Sequence, residues 1–222
     1  MKYPGTGTGI ALTTTVTALC LTALSPAYAS PTPTTTPSPT ATARTQSLVA
    51  PLKYQLSLKG QRQETNYFCV PASSSMSLST FGVNVSQATL AKKMKTTPSH
   101  GTQRVNALPV VNSYVKSRGY TYTVPGDTDG NPALLMSRVA DNVGQLHRAP
   151  LLGVWMEQLP WNKGKVKGTK VGHAIIAYGY DRMAGTITVY DPWKPTGGTH
   201  TISASTLAGI LQPGGMYYIS KL

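Results

Sequence analysis

Acidic residues are scarce in this sequence. Seven Asp and Glu stand against twenty Lys and Arg in 222 residues, a formal net charge of +13, and charged residues of both signs make up only 12 % of the chain. So little charge excludes a coiled coil and charge-driven disorder. Cysteine is scarcer still. Cys20 and Cys69 are the only two, and together with His100, His147, His173 and His200 they show none of the short spacings that hold zinc, so no metal and no cofactor is expected. An apolar run of about 18 residues, as a membrane span requires, is missing as well. A GxxxxGK[ST] loop and a GxSxG elbow are also absent, which leaves nucleotide hydrolysis and serine-hydrolase chemistry without support. What is present is 40 % apolar content, enough for the core of one domain with accessory segments.

The N-terminus reads as an export signal. Lys2 supplies the basic start, Ile10 to Leu24 form a short apolar stretch diluted by Thr, and Ala27-Tyr28-Ala29 fits the small-x-small rule for cleavage. Residues 1–29 are therefore expected to be removed, and the protein to act as a secreted, extracellular or cell-wall-associated chain. Residues 30–45 are almost entirely Pro, Thr, Ser and Ala and read as an extended linker. The folded domain is expected over 46–222. It then holds one cysteine, Cys69, which can form no internal disulfide in an oxidising compartment and asks for another explanation.

Helices are expected before strands. Val49 to Leu58 reads as an entry strand or arm. A helix follows Cys69, with Pro71 in its first turn and Gly82 beyond its end, and Ser86 caps a second through Met94. Gln103 to Arg118 carries apolar positions at helical spacing, and Asn131-Pro132 opens another helix through about His147. From Pro150 the pattern changes to strands at 151–156, 171–180, 186–190 and 216–220, with a short helix near 203–211. This order predicts an α+β fold in which N-terminal helices pack on a C-terminal antiparallel sheet.

Cys69 at a helix start has its thiol among unsatisfied N–H groups, where the macrodipole favours an anion. A neighbouring imidazolium would lower its pKa further and make a nucleophile. The Cys69 N–H can meet a developing oxyanion, and a second donor is available from Gln63, six residues upstream, or from Gln61 with the same chemistry. Among the histidines, His173 has a partner built into its own hairpin. The runs 171–180 and 186–191 flank a turn at Asp181-Arg182-Met183, and pairing 180 with 184 sets Ala177 against Ile187, Ile175 against Val189, and His173 directly opposite Asp191. A slip of two residues keeps His173 and Asp191 on one face. His147 closes a helix beside Arg148, and His100 and His200 lie in loop-like or short-strand contexts.

Gln63-x5-Cys69, the helix sequence Pro71-Ala72-Ser73 with Met76, the strand opening Gly172-His173-Ala174, and Val189-Tyr190-Asp191-Pro192 together resemble the papain-like cysteine peptidases related to the bacteriocin-processing, double-glycine family, cysteine peptidase family thirty-nine, in a free-standing secreted form. The resemblance spans Gln61 to Leu222. It implies a papain-like fold, Cys69 as nucleophile, His173 as general base and acid, Asp191 orienting it, and Gln63 in the oxyanion hole. Two departures stand out. Val70 follows the nucleophile where the family usually has Gly, and no transporter is attached.

The expected function is hydrolysis of peptide or amide bonds in a peptide, a protein or a cell-wall peptide. An acyl transferase using the same triad and a catalytically silent wall-binding module are the alternatives. Trp161 and Trp193 flank the later strands and are candidates for lining a substrate groove. Lys163, Lys165, Lys167 and Lys170 lead into the His173 strand and suit an anionic cell-envelope polymer. Without interleaved aromatics they do not suggest nucleic acid. Asp127-Thr128-Asp129-Gly130 reads as a turn, because the remaining ligands of a calcium loop are missing.

Overall fold

The computed structural model describes residues 49–222. The expected signal peptide over 1–29, the linker over 30–45 and the first residues of the domain lie outside the described residues.

Helices precede most of the sheet. β1 (Lys53–Gln55) is followed by α1 (Cys69–Ser79), α2 (Gln87–Lys93) and α3 (Arg104–Val115), then β2 (Tyr120–Thr123) and α4 (Pro132–Ala140). The second half contains β3 (Leu151–Trp155), β4 (Gly172–Asp181), β5 (Thr186–Asp191), β6 (Gly198–Ser203), α5 (Ala204–Gly209) and β7 (Leu211–Lys221). The strands form one seven-stranded sheet in the order β2-β7-β3-β4-β5-β6, with β1 added to β4, and every pairing is antiparallel. This is the α+β arrangement that the sequence pattern predicts.

Local chemistry explains the boundaries. Ser86 accepts from Thr89 N at the start of α2, Ser203 from Thr206 N at the start of α5, and Asn131 from Leu134 N at the start of α4, where Pro132 occupies the first turn. The expected helix from Asn131 to His147 changes character partway. After Ala140 the chain widens into a π turn over Asp141–Gln145. There Asn142 is fully buried and exchanges two hydrogen bonds with Ile219 of β7.

Helix α1 carries five serines in its eleven residues, and Pro71 to Leu78 are all buried. The serines make this tolerable because their small side chains let the helix lie close to its neighbours, and most of them donate to main-chain carbonyls there. Ser73 Oγ reaches Ala174 O at 3.1 Å, Ser75 Oγ reaches Val85 O at 2.7 Å, and Ser77 Oγ bonds Ala149 O and the Tyr122 hydroxyl. The first of these ties the Cys69 helix to the strand that carries His173.

Apolar packing occupies both sides of the sheet, so β4 is buried from His173 to Tyr180. Leu152, Val154, Ile175, Ala177, Ile187 and Val189 pack with α4 and α5, whereas Leu151, Tyr217 and Ile219 pack with α1, α2 and α3. Met76 of α1 sits against Ile176 and Tyr178 in a third cluster.

The β4–β5 register differs from the expected one by two residues. Ala177 faces Val189, not Ile187, and a bulge lies between Ala177 and Gly179. The bulge absorbs an extra residue near the turn. His173 therefore does not lie directly opposite Asp191, and its Cα partner is Val154 of β3. A two-residue slip preserves facing, because side chains alternate with period two. His173 and Asp191 remain on the face of Ile175 and Val189.

Ile175 is fully buried two residues beyond His173. Ile175→Ala should lower unfolding stability by about 2–5 kcal/mol, read as a lower urea midpoint with an unchanged slope.

Candidate active site

Cys69 is the first residue of α1. No side chain caps this helix start, and the Val70 N–H in its first turn is directed at the Cys69 sulfur. His173 is the second residue of β4 and Asp191 the last of β5. His173 is 4 % exposed and Asp191 not at all. The ring presents Nε2 to Asp191 Oδ1 at 2.7 Å and hydrogen-bonds the Cys69 thiol on its other side. Helix α1, strand β4 and strand β5 thus contribute one member each to a row of three.

The electrostatics follow from that order. Burial alone pushes the Cys69 thiol up, and the His173 hydrogen bond, its charge and the N–H groups of Ala174 and Val70 overcome this and hold the thiol below the ordinary cysteine range. Burial would likewise depress His173, but its hydrogen bonds to Asp191 and Cys69 and the two negative charges raise it to about 10. Asp191 is pushed up by burial and brought below the usual carboxylate range by His173, the Trp161 indole and the Trp193 N–H. All three directions favour a thiolate, an imidazolium and a carboxylate in sequence.

Asp191 is held by more than the histidine. Trp193 N donates to Oδ1 at 2.8 Å, and Trp161 Nε1 donates to Oδ2 at 2.8 Å. Trp161 stacks flat on His200, with ring centroids 3.9 Å apart and planes 3° apart. Trp161, expected in the substrate groove, thus serves as a support of Asp191 and lines neither cavity beside Cys69. Its indole N–H is directed at the carboxylate, and this orientation depends on a distant fold contact that spacing along the chain does not reveal.

Two cavities flank the Cys69–His173 pair. The smaller, about 200 Å³, is lined by Gln63, Asn66, Tyr67, Met156 and Trp193. Gln63 is 2 % exposed, donates from Nε2 to Thr65 O at 2.8 Å, and has a buried Oε1 with no partner. Its amide retains a second N–H. Gln61 is turned away, with Nε2 on Ser75 Oγ and its main-chain N–H on the Met76 sulfur. Of the two glutamines left open by the sequence, Gln63 is the one beside Cys69. Trp193 lines the same cavity. The larger cavity, about 430 Å³, lies along α3, β3 and β7.

A buried residue that sequence reasoning missed holds Gln63 in place. Gln87 of α2, 3 % exposed, donates from Nε2 to Arg62 O at 2.8 Å and accepts from Glu64 N at 3.0 Å, clasping the main chain on both sides of Gln63. Gln63 N in turn donates to Pro192 O at 2.8 Å, and Arg62 Nη1 donates to Trp193 O at 2.9 Å. The segment after Asp191 and the segment bearing Gln63 are therefore one stitched unit. Gly197 is required within it, since a Cβ there would strike the Trp193 and Asp191 carbonyls and the Arg62 guanidinium. The lysines of the loop before β4 are exposed, and Glu157 anchors its end by accepting from Lys170 N and Val171 N. Among the described residues no group of three or more His, Cys, Asp or Glu could hold a metal ion, and no helix is long and apolar enough to cross a membrane.

Several solved structures share this architecture. A putative C39-like peptidase from Bacillus anthracis matches with a TM-score of 0.55 at 15 % identity, over 77 % of this chain and 97 % of its own. Xylellain, a cysteine protease from Xylella fastidiosa, gives 0.55 at 10 % identity over 78 % and 87 %. The peptidase domain of Streptococcus ComA, a bi-functional ABC transporter involved in a quorum sensing pathway, gives 0.50 at 17 % identity over 76 % and 99 %. The fold is that of the papain-like peptidases. No curated protein sequence matches the chain. The pattern of the Peptidase C39 like family matches residues 55–210, well over half of the chain. A helix-borne cysteine, a β-sheet histidine and this family pattern together place the protein among the cysteine peptidases, and the chain belongs to the Peptidase C39 like family.

Proposed function

We propose that Cys69, His173 and Asp191 act as a catalytic triad, with Gln63 as oxyanion donor, in a peptidase that works outside the cytoplasm on peptides, proteins or cell-wall peptides. The observation that carries this reading is the buried row of charges: a thiol bonded to an imidazole whose far nitrogen sits 2.7 Å from a fully enclosed carboxylate.

The steps follow from the atoms. The Cys69 thiolate attacks the carbonyl carbon and forms the C–S bond, and the carbonyl oxygen takes up the electron pair. The main-chain N–H of Cys69, which has no intrahelical partner, and the second N–H of Gln63 stabilise that oxygen. The oxyanion collapses, the C–N bond breaks, and the His173 imidazolium gives its proton to the departing amine. Neutral His173 then takes a proton from water, the hydroxide equivalent attacks the thioester, and the acid product leaves as the thiolate is restored. Throughout, Asp191 holds the ring by Nε2 and so presents Nδ1 to the reacting groups.

Action outside the cytoplasm rests on the signal-like residues 1–29 and the single cysteine that would follow them. The exposed lysines at 163, 165, 167 and 170, entering the His173 strand, would draw an anionic envelope polymer towards the cleft. Trp193, on the Gln63 side, would meet the leaving half of the substrate.

Cys69→Ala should abolish release of new amino termini while the urea midpoint stays near that of the parent. Full activity in that variant would overturn the assignment. Gln63→Ala should lower kcat by about 10²–10³-fold with a small change in KM, the signature of a donor used mainly in the transition state. Alkylation followed by mass spectrometry reads the pair directly. A thiol whose pKa is depressed is ionised above that value and loses its charge as pH falls through it, and the His173 charge persists until pH rises through about 10. The parent should therefore react well below the ordinary cysteine pKa and across the neutral range. In His173→Ala burial acts unopposed by a cation, so the reactive limb should move to higher pH. Superimposable profiles would overturn the coupling.

A further inference from the structure

The larger cavity holds a charge that the chemistry of bond cleavage leaves unused. Arg104, the first residue of α3, lines it with an exposed side chain. Its guanidinium donates from Nη2 to Pro213 O at 2.8 Å and hydrogen-bonds the phenol oxygen of Tyr217, which lines the same cavity. Two of its five N–H groups suffice for these contacts. No carboxylate among the described residues lines the cavity, and the described ion pairs of lysine and arginine join Lys53 to Asp181 and Arg138 to Asp127, leaving Arg104 without an acidic partner.

Tyr217 completes the recognition chemistry. Burial raises its pKa, so the phenol stays protonated, and because its oxygen already accepts from Arg104 its hydrogen is left to be donated. The uncapped start of α3 adds its partial positive charge on the same side. Glycines keep the cavity open. At Gly215 a Cβ would strike the Gly153 carbonyl oxygen, so that stretch of wall can carry no side chain. Leu151 and Ala174 supply apolar surface for the methylenes of an entering side chain.

We propose that this cavity is the subsite for an acidic side chain of the substrate, Glu or Asp, lying next to the cleaved bond on the side of Cys69 away from Gln63 and Trp193, with Arg104 as its specificity-determining residue. A planar guanidinium meets a carboxylate through two parallel hydrogen bonds. The inference deepens the reading of Cys69 as nucleophile and rests on it for the meaning of the neighbouring bond.

The test uses the purified full chain and end-blocked hexapeptides in which one Glu, Gln or Lys is moved through an otherwise Gly/Ala sequence. Two quantities are measured: protection of Cys69 from alkylation, which reports occupancy without turnover, and appearance of new amino termini. The Glu peptide should protect at a concentration at least tenfold lower than the Gln peptide at one position, with the ratio shrinking as salt rises. Arg104→Gln should erase that ratio, Arg104→Glu should transfer the preference to Lys, and Arg104→Lys should keep part of it. Lys92→Gln removes an exposed charge elsewhere and should change nothing, which separates a local site from the overall +13. Equal protection by Glu and Gln, or a preference that survives Arg104→Gln, overturns the subsite. Cleavage without that preference overturns the subsite and spares the peptidase reading, whereas Arg104-dependent protection without cleavage does the reverse.

Discussion

The hydrogen bond between His173 Nε2 and Asp191 Oδ1 is the contact around which the site is organised. A carboxylate with no solvent exposure loses hydration worth several kcal/mol, and an isolated one would simply take up a proton. Asp191 avoids this because three N–H donors surround it: the imidazole, the Trp161 indole and the Trp193 main chain. The cation at His173 is equally costly alone, and it is bracketed by Asp191 on one side and the Cys69 sulfur on the other. Each charge is stable only because the next is present.

The fold supplies each member from an element that cannot easily move relative to the others. Ser73, four residues into the Cys69 helix, donates to Ala174 O, the residue beside His173, so Cys69 and His173 are linked through main-chain as well as side-chain atoms. The end of β5 is drawn towards the Gln63 segment by Gln63 N on Pro192 O and by Arg62 on Trp193 O. Gln87 then fixes that segment to α2. Loops make up much of this region, yet their main-chain groups are paired across elements, and this gives loop residues the positional order usually expected of helices and strands.

The juxtaposition of Cys69, His173 and Asp191 was legible because its signals are local or depend only on parity. Cys69 before Pro71 marks a helix start, and His173 and Asp191 lie on one hairpin face in any register that differs by an even number of residues. The actual register differs by two, so their juxtaposition survives although the expected pairing of Ala177 with Ile187 does not. The rest demanded contacts over long sequence separations. Trp161 looked like a groove residue because aromatic side chains flank clefts, while its role depends on a carboxylate thirty positions away. Gln87 carries no local signal, since a glutamine in a helix is ordinarily solvated. β2, only four residues long, and β6, whose run of Gly, Thr and Ser lacks a strong apolar alternation, become strands through pairing with β7 and β5. Helix α1 was legible from Pro71 and Gly82, but the burial of its serines was not, because it depends on carbonyls supplied by distant segments.

Val70 shows how the same residues accommodate a departure from the family pattern. A β-branched side chain directly after Cys69 crowds the space beside the sulfur if it points towards the Gln63 cavity. Here Val70 packs partly buried against the cluster formed by α1, α2 and α3 and lines the larger cavity, and it is not among the residues that line the Gln63 cavity. Its N–H is one of the groups that hold the Cys69 sulfur below its ordinary pKa. Only the main chain of residue 70 is needed at the sulfur, so its side chain is free to serve packing. The space it takes is on the side of the larger cavity, where glycines at 153, 172 and 215 keep the wall bare. Open space is thus made on the sheet side of the cleft rather than beside Cys69, which lets the start of α1 remain a regular, well-packed helix.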